Sequence, residues 1–524
     1  MSRPTELLRH AQLRAEALRP RYRAAGHWSA QPADVVRDAT MRHPTRLALK
    51  DRGVELTYAE LDARIDWAVD VLVAAEARAL DPVVVVVGND VDSVVAVHAA
   101  LRIDAVVLLV PRSSGPAQVA DIVARTNAAL GVAPNWPAVA EPELSGRCKW
   151  IELSDSAHSG GSPPCRPRRP ADAPALVLYT SGTTSKPKGV IHSLSTLVKA
   201  STNYIVAAGL GADDRIFLIS PLASVTGVLQ AVLIPPLLAA PVVLEDRWDP
   251  VATSDLLLSS GATWYGGPDR LLGRVLDEAV ARDEAIPLRA VYLGGTMLDR
   301  RLVERIEDDF GIVVMRAYGS SEVPISTSGL RTESRAVRHA DDGVALADVE
   351  IRLGSAGDAT ECCIAGPHAF LGYTDADDDA DAFDGDWFRT GDVAELVEGR
   401  VRIVGRLKDI VIRNGLKIPV AEVEDAVGQI PGVRECAAYP VGDATTGERL
   451  AVALVLDAGV RLSVADVAAA LVAAGLPKYK LPEELVFWDE PLPVNANGKV
   501  ARNTLHARSQ GLPRALADRL VTVG

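Results

Sequence analysis

Short apolar runs alternate with longer stretches of helical period through the first half of the chain and somewhat beyond. The runs at 83–87, 106–110, 175–179 and 290–293 carry no charged residue on either side, the pattern of strands covered on both faces. Before and between the first of them, 59–75, 91–101 and 118–128 space their apolar residues as helices do. Strand and helix in alternation predict an α/β fold with a largely parallel sheet and helices on its faces. Past Gly405 the rhythm changes to a small α+β unit: a helix over 420–429, strands over 433–440 and 450–456, and a helix over 464–474. The expected division is a core over 1–405, a hinge over 406–409 and a C-terminal domain over 410–524, with no internal repeats.

Three stretches need separate treatment. The most apolar long window, 231–244, is broken by Pro235, Pro236 and Pro241 and is too short to cross a bilayer, so it reads as buried helix and strand. At the N-terminus, 5–19 is charged, with Leu7, Leu8, Leu13 and Leu18, and reads as an amphipathic helix and not as a signal peptide. The Ser-, Gly-, Pro- and Arg-rich stretch 154–174 reads as a surface linker between two halves of the core.

Composition narrows the function classes. At 524 residues the chain exceeds a single hydrophobic core. A net charge of −14 disfavours nucleic acid or an anionic membrane as partner, so any anionic ligand needs a local site. Five cysteines, an odd number without a C-x-x-C pair, argue against a disulfide framework and a zinc site. Cys362 and Cys363 read as core thiols, and a reducing cytoplasm is the expected location.

Candidate chemistry begins at Tyr179-Thr180-Ser181-Gly182-Thr183-Thr184-Ser185-Lys186-Pro187-Lys188-Gly189. Glycine lets backbone amides approach an anion, the hydroxyls rotate to donate, and a lysine ammonium adds a compact positive charge, so the loop suits a phosphate chain. It is not a Walker A loop, because four residues after Gly182 lead to Pro187. Alone, such a cluster reads better as a polar surface turn between a strand and a helix, and only order and context decide otherwise. Downstream, in fixed order, come Tyr318-Gly319-Ser320-Ser321-Glu322, Arg389-Thr390-Gly391-Asp392, Gly405-Arg406-Leu407-Lys408-Asp409-Ile410, then Gly415, Lys417-Ile418-Pro419 and Glu422-Val423-Glu424, and last Asn497-Gly498-Lys499.

Together these motifs resemble the adenylate-forming superfamily of acyl-CoA synthetases, luciferases and peptide-synthetase adenylation domains, from Thr57-Tyr58 to Lys499. In Gly415-Leu416-Lys417-Ile418-Pro419-Val420 and in Ser185, where a second glycine is usual, the chain looks most like bacterial medium-chain or cyclohexanecarboxylate-type acyl-CoA ligases. The resemblance implies a large N-terminal domain of two βα-layered subdomains plus a distorted barrel, and a small mobile α+β C-terminal domain. It also implies that Thr180, Ser181, Gly182, Thr183, Thr184 and Lys188 hold the β and γ phosphates of ATP. Gly294, Gly295, Thr296 and Tyr318, with Gly319 and Ser320, would flank adenine, and Ser321 would aim its hydroxyl at the α-phosphate. Glu322 would bind Mg²⁺, Asp392 the ribose hydroxyls, and Arg406 the ribose or phosphate.

By the same resemblance Lys499 is the adenylation lysine and Lys408 the hinge. An acid attacks the α-phosphate to give an acyl adenylate and pyrophosphate; rotation then replaces Lys499 with Gly415 to Lys417 and admits the thiol of CoA. The substrate pocket falls at Ser224, Val225 and Gly227, where no bulky gate residue is evident. An apolar or aromatic carboxylic acid is the first expectation. Nitrite delivered to an aryl amine, or acyl transfer to a carrier protein, are the alternatives, and a non-catalytic nucleotide binder is disfavoured by Lys188, Glu322, Asp392, Arg406 and Lys499 together. The acidic run Asp375, Asp377, Asp378, Asp379, Asp381, Asp384 and Asp386 reads as a solvated loop and not as a metal cluster. A monomer or homodimer is expected.

Overall fold

The structure, a computed structural model, describes residues 7–141, 144, 146, 148–153, 167–180, 187–293, 300–414, 416–494 and 500–521. The chain divides into two compact units, one of residues 1–351, 364–388 and 398–401, the other of residues 352–363, 389–397 and 402–524. Both are mixed α/β, as the sequence pattern predicts.

In the first unit one sheet runs in the order Lys149–Ile151, Leu130–Val132, Pro82–Val87, Val106–Pro111, Pro174–Thr180, Lys188–Ser193, Gly372–Tyr373. Its first five strands are parallel, Lys188–Ser193 runs antiparallel to Pro174–Thr180, and Gly372–Tyr373 antiparallel in turn to Lys188–Ser193. Every residue of Pro82–Val87 is buried, and each valine there is worth about 2 kcal/mol relative to exposure. A second sheet carries the parallel strands Leu47–Lys50, Val242–Leu244, Ile216–Leu218, Trp264–Gly267, Ala290–Leu293 and Val313–Tyr318. Helices Tyr58–Ala74, Val91–Arg102 and Pro116–Thr126 fall within a residue or two of the predicted stretches. Thr57 opens the first of them with a capping box closed by Glu60.

The apolar window 231–244 is buried, as expected: a π-helical stretch Val228–Leu233, the helix Ile234–Leu238 and the strand Val242–Leu244. Among the described residues no helix is long and apolar enough to cross a membrane. The N-terminal helix, Arg9–Ala24, runs past the predicted end at residue 19 and buries a different stripe. Leu8, Ala11, Ala15, Leu18 and Tyr22 face inward at helical spacing, while Leu13 is exposed, because two alanines complete the stripe that leucines alone suggested. The stretch read as a linker is not wholly a surface segment. Asp172 is fully buried and accepts from Arg19 and Arg23, which tie the N-terminal helix to the base of the strand Pro174–Thr180.

The second unit has its own core. Leu416–Pro419, Ile410–Arg413, Gly447–Leu456, Glu484–Phe487 and Arg514–Leu516 form a sheet, with Val433–Asp443 antiparallel to Gly447–Leu456. The helices Val420–Gly428 and Val464–Ala473 cover it through Val423, Val427, Val467 and Leu471.

Candidate active site

The hydroxyl-rich loop closes a β-hairpin and does not lead from strand to helix. Pro174–Thr180 and Lys188–Ser193 pair antiparallel, with Thr180 opposite Lys188 and Tyr179 opposite Gly189. A rigid ladder therefore sets Lys188 at the mouth of the loop. Ser181, Gly182, Thr183, Thr184 and Ser185 lie outside the described residues, as do Gly294, Gly295, Thr296, Gly415 and Lys499, and of Thr180 and Lys408 only the backbone is described. Gly189 is required by close approach: a Cβ there would stand 2.6 Å from Thr374 Oγ1 and 3.0 Å from Val177 Cγ1. Thr374 N donates to Gly189 O at 2.8 Å, continuing the short strand Gly372–Tyr373 alongside the hairpin.

That strand brings Tyr373 to Glu322. The Tyr373 phenol donates to Glu322 Oε1 at 2.8 Å. Burial and the Glu322 carboxylate push the phenol's pKa up, so it stays protonated and donates. Glu322 leaves the end of the strand Val313–Tyr318 on a turn that begins with Gly319, where a Cβ would meet the backbone N of Ile325 at 2.4 Å. Within the turn the Ser320 hydroxyl accepts from the Glu322 amide at 3.2 Å, and Glu322 O accepts from Phe370 N at 2.8 Å. Both the backbone and the carboxylate of Glu322 are thus fixed from the segment 370–373.

His192, four residues after Lys188 on the same strand, holds the turn from the other side. Its Nε2 donates to Ser321 O at 2.7 Å, so the proton sits on Nε2, and Nδ1 lies 3.0 Å from Thr196 Oγ1. Full burial pushes its pKa down to about 4, so the ring is neutral. The strand of Lys188 and the turn of Glu322 are thereby one hydrogen-bonded assembly.

Lys188 Nζ lies 2.9 Å from Asp378 Oδ1 and 4.9 Å from the centroid of the Tyr373 ring. The acidic run therefore departs from the solvated loop expected of it. Residues Ala376–Ala380 form a short helix, Asp378 pairs with Lys188, and Asp379 turns inward to accept from Tyr373 N at 2.7 Å. Asp375, Asp377, Asp381, Asp384 and Asp386 are exposed. Among the described residues no group of three metal-ligating side chains forms, in this run or elsewhere.

In the second unit Asp392 lies on the strand Trp387–Val397 and is buried, with its amide donating to Thr390 Oγ1 at 3.0 Å. Arg406 ends the strand Arg400–Arg406 and sets its Nε 3.2 Å from Asp392 Oδ1. A carboxylate and a guanidinium predicted fourteen residues apart in sequence are thus one ion pair. Lys408 lies in the 3₁₀ turn Leu407–Asp409, whose Asp409 carboxylate is 3.4 Å from Arg502 Nη1. Lys417 pairs with Asp358, and that lysine, with bonds from Thr360, holds the Asp358 carboxyl down at about 2.

Ser224 caps a one-turn helix, Val225–Gly227: its hydroxyl donates to Pro221 O at 2.7 Å and accepts from Gly227 N at 3.0 Å. Val225 is half-buried, and Gly227 packs so closely that a Cβ would meet Pro221 O at 2.2 Å. Ser224 and Gly227 therefore shape the backbone that precedes the buried stretch Val228–Leu233.

Sequence reasoning missed His192 and Tyr373, and it placed Asp378 in solvent with the rest of the acidic run. His192 sits on an apolar strand directly beyond the loop motif and Tyr373 just before the acidic run, so position beside a motif was the one available signal.

The fold and the ordered motifs define an adenylate-forming ligase. The chain belongs to the AMP-binding enzyme family: the family model described as "AMP-binding enzyme" matches residues 36–374, and the one described as "AMP-binding enzyme C-terminal domain" matches 422–499. It is 30% identical over 517 residues to Triostin synthetase I of Streptomyces triostinicus, covering 93% of this chain and 96% of that one. To the medium-chain fatty-acid–CoA ligase of Escherichia coli strain K12 it is 28% identical over 525 residues, covering 93% and 92%. Among solved structures, ATP-bound MatB from Rhodopseudomonas palustris superposes with a TM-score of 0.81 at 25% identity, covering 92% of this chain and 99% of that one.

Proposed function

We propose that this enzyme adenylates an apolar or aromatic carboxylic acid with ATP and transfers the acyl group to CoA. The observation that carries the reading is the assembly of Lys188, Tyr373, Glu322 and His192, which sets an ammonium at the mouth of the hydroxyl-rich loop and an anchored carboxylate on the neighbouring turn. The similarity to a medium-chain fatty-acid–CoA ligase over nearly the whole chain supports the same reading, and the nitrite alternative draws no support from the relatives named above.

In this account Thr180, Ser181, Gly182, Thr183, Thr184 and Lys188 hold the terminal phosphates of ATP. Gly294, Gly295, Thr296 and Tyr318 to Ser320 flank the adenine, Ser321 faces the α-phosphate, and Asp392 and Arg406 hold the ribose. Glu322 suits Mg²⁺: it offers a hard carboxylate oriented by Tyr373, and Mg²⁺ is usually held by one or two carboxylates with substrate phosphates completing its shell. Bound there, the ion would neutralise phosphate charge.

The carboxylate oxygen of the acid attacks the α-phosphorus, the bond to the bridging oxygen of pyrophosphate breaks, and Lys499 stabilises the charge that develops. The thiolate of CoA then attacks the acyl carbon and AMP leaves with its new oxygen. Lys408 is the hinge between these half-reactions, in a chain divided functionally into 1–405, 406–409 and 410–524. Ser224, Val225 and Gly227 border the acid. A panel of acids, with nitrite plus an aryl amine included, scored for AMP with and without CoA, tests the reading. AMP together with a thioester supports it, and AMP formed from nitrite and amine alone would replace it.

A further inference from the structure

Lys188 is the cation set against the terminal phosphates, and an anion of the protein already stands beside it. Asp378 Oδ1 lies 2.9 Å from Lys188 Nζ, with the two side chains 31% and 35% exposed, so an anion arriving from solvent can exchange for the carboxylate. The carboxylate is placed by its surroundings. Its helix, Ala376–Ala380, starts at Asp375, whose side chain accepts from Asp377 N at 3.2 Å, and the adjacent Asp379 is bonded to Tyr373 N on the strand that pairs with the strand of Lys188. Beyond the helix, Phe383 stacks on Phe370 with centroids 4.9 Å apart. Arg14 lies 3.6 Å over the Phe383 ring and donates to the carbonyls of Gly385 and Asp386. Both ends of the segment are therefore anchored, and Asp378 is presented to Lys188 from a fixed support.

We infer that Asp378 is a positioning residue that serves as a resident substitute for pyrophosphate. It orients Lys188 before nucleotide binds, yields the lysine to the terminal phosphates of ATP, and re-pairs with it as pyrophosphate departs. Each exchange trades one ion pair for another, so the carboxylate weakens the binding of ATP and of pyrophosphate and eases product release. The inference rests on the reading of Lys188 as a phosphate-holding residue.

Calorimetric titration of the full-length enzyme with inorganic pyrophosphate tests it, using Asp378→Asn, Lys188→Met, the double variant and Asp377→Asn. A partly exposed pair predicts that Asp378→Asn tightens pyrophosphate by about two- to fivefold. The effect should vanish in the Lys188→Met background. In steady state Asp378→Asn lowers the KM for ATP and strengthens inhibition by pyrophosphate, a shift that a purely structural role would not give. Unchanged or weaker pyrophosphate binding in Asp378→Asn overturns the inference, as does equal tightening in Asp377→Asn, which would signal a general charge effect. If Lys188→Met leaves pyrophosphate affinity intact, the reading of Lys188 itself falls. If Lys188→Met weakens binding and Asp378→Asn changes nothing, the role of Asp378 alone falls.

Discussion

Tyr373 donates its phenolic proton to Glu322 Oε1 at 2.8 Å, while the face of the same ring lies 4.9 Å from Lys188 Nζ. One side chain thus orients both the proposed metal-binding carboxylate and the proposed phosphate-holding lysine. Replacing it with phenylalanine separates the two contributions, because the ring stays and only the donor is lost. A hydrogen bond to a carboxylate is worth about 1.5–3 kcal/mol at most, and solvent recovers part of that. Tyr373→Phe should raise the KM for ATP at limiting Mg²⁺ by about three- to tenfold, with the melting temperature nearly unchanged. Steady-state kinetics across a Mg²⁺ series would show it, and an unchanged Mg²⁺ dependence would remove Tyr373 from the site.

The buried histidines predict an acid limit to stability. Burial pushes the pKa values of His98 and His192 down to about 4 and of His368 to about 3, from an ordinary 6.5. The unfolded chain therefore takes up protons near that ordinary value while the folded protein refuses them. Stability is intact above it and is lost as the pH falls toward 4, by up to about 1.4 kcal/mol per pH unit for each histidine. Melting temperature should fall over that window. His192→Gln, which keeps a donor for Ser321 O, should make the fall shallower; an identical slope would show that His192 titrates normally.

Lys499 and Lys408 should separate the half-reactions. Lys499→Ala is expected to suppress acid-dependent pyrophosphate release by about a hundredfold, the cost of losing one charge-stabilising donor, while ATP binding persists. Changes at Lys408 should slow thioester formation more than adenylate formation. Equal losses in both steps would remove the hinge role from Lys408.

The parts legible in the sequence were those written locally. Val83 to Val87 announces a strand covered on both faces because five valines leave no polar side, and the helical spacing of 59–75 places the helix found at Tyr58–Ala74. The partners across the fold were not legible. Tyr373 meets Glu322 only because Gly372–Tyr373 adds to the edge of the loop hairpin, and Asp378 meets Lys188 for the same reason. Local charge density pointed Asp378 and Asp379 to solvent, yet a lysine and a backbone amide recruited them inward. Likewise Leu13 looked like core by residue type, whereas Ala11 and Ala15 carry the buried stripe because the helix packs closely there. His192 offered only its position beside the loop motif, since an isolated histidine on an apolar strand says nothing of the carbonyl opposite it.

Acid labelled with ¹⁸O in both carboxylate positions, incubated with the enzyme, ATP and CoA, tests adenylation most directly. Attack on the α-phosphorus followed by cleavage of the acyl carbon–oxygen bond leaves one acid oxygen on the nucleotide. Mass spectrometry should find AMP carrying a single ¹⁸O, in amounts equal to the thioester formed. Unlabelled AMP, or ADP with labelled phosphate, would contradict the proposed reaction.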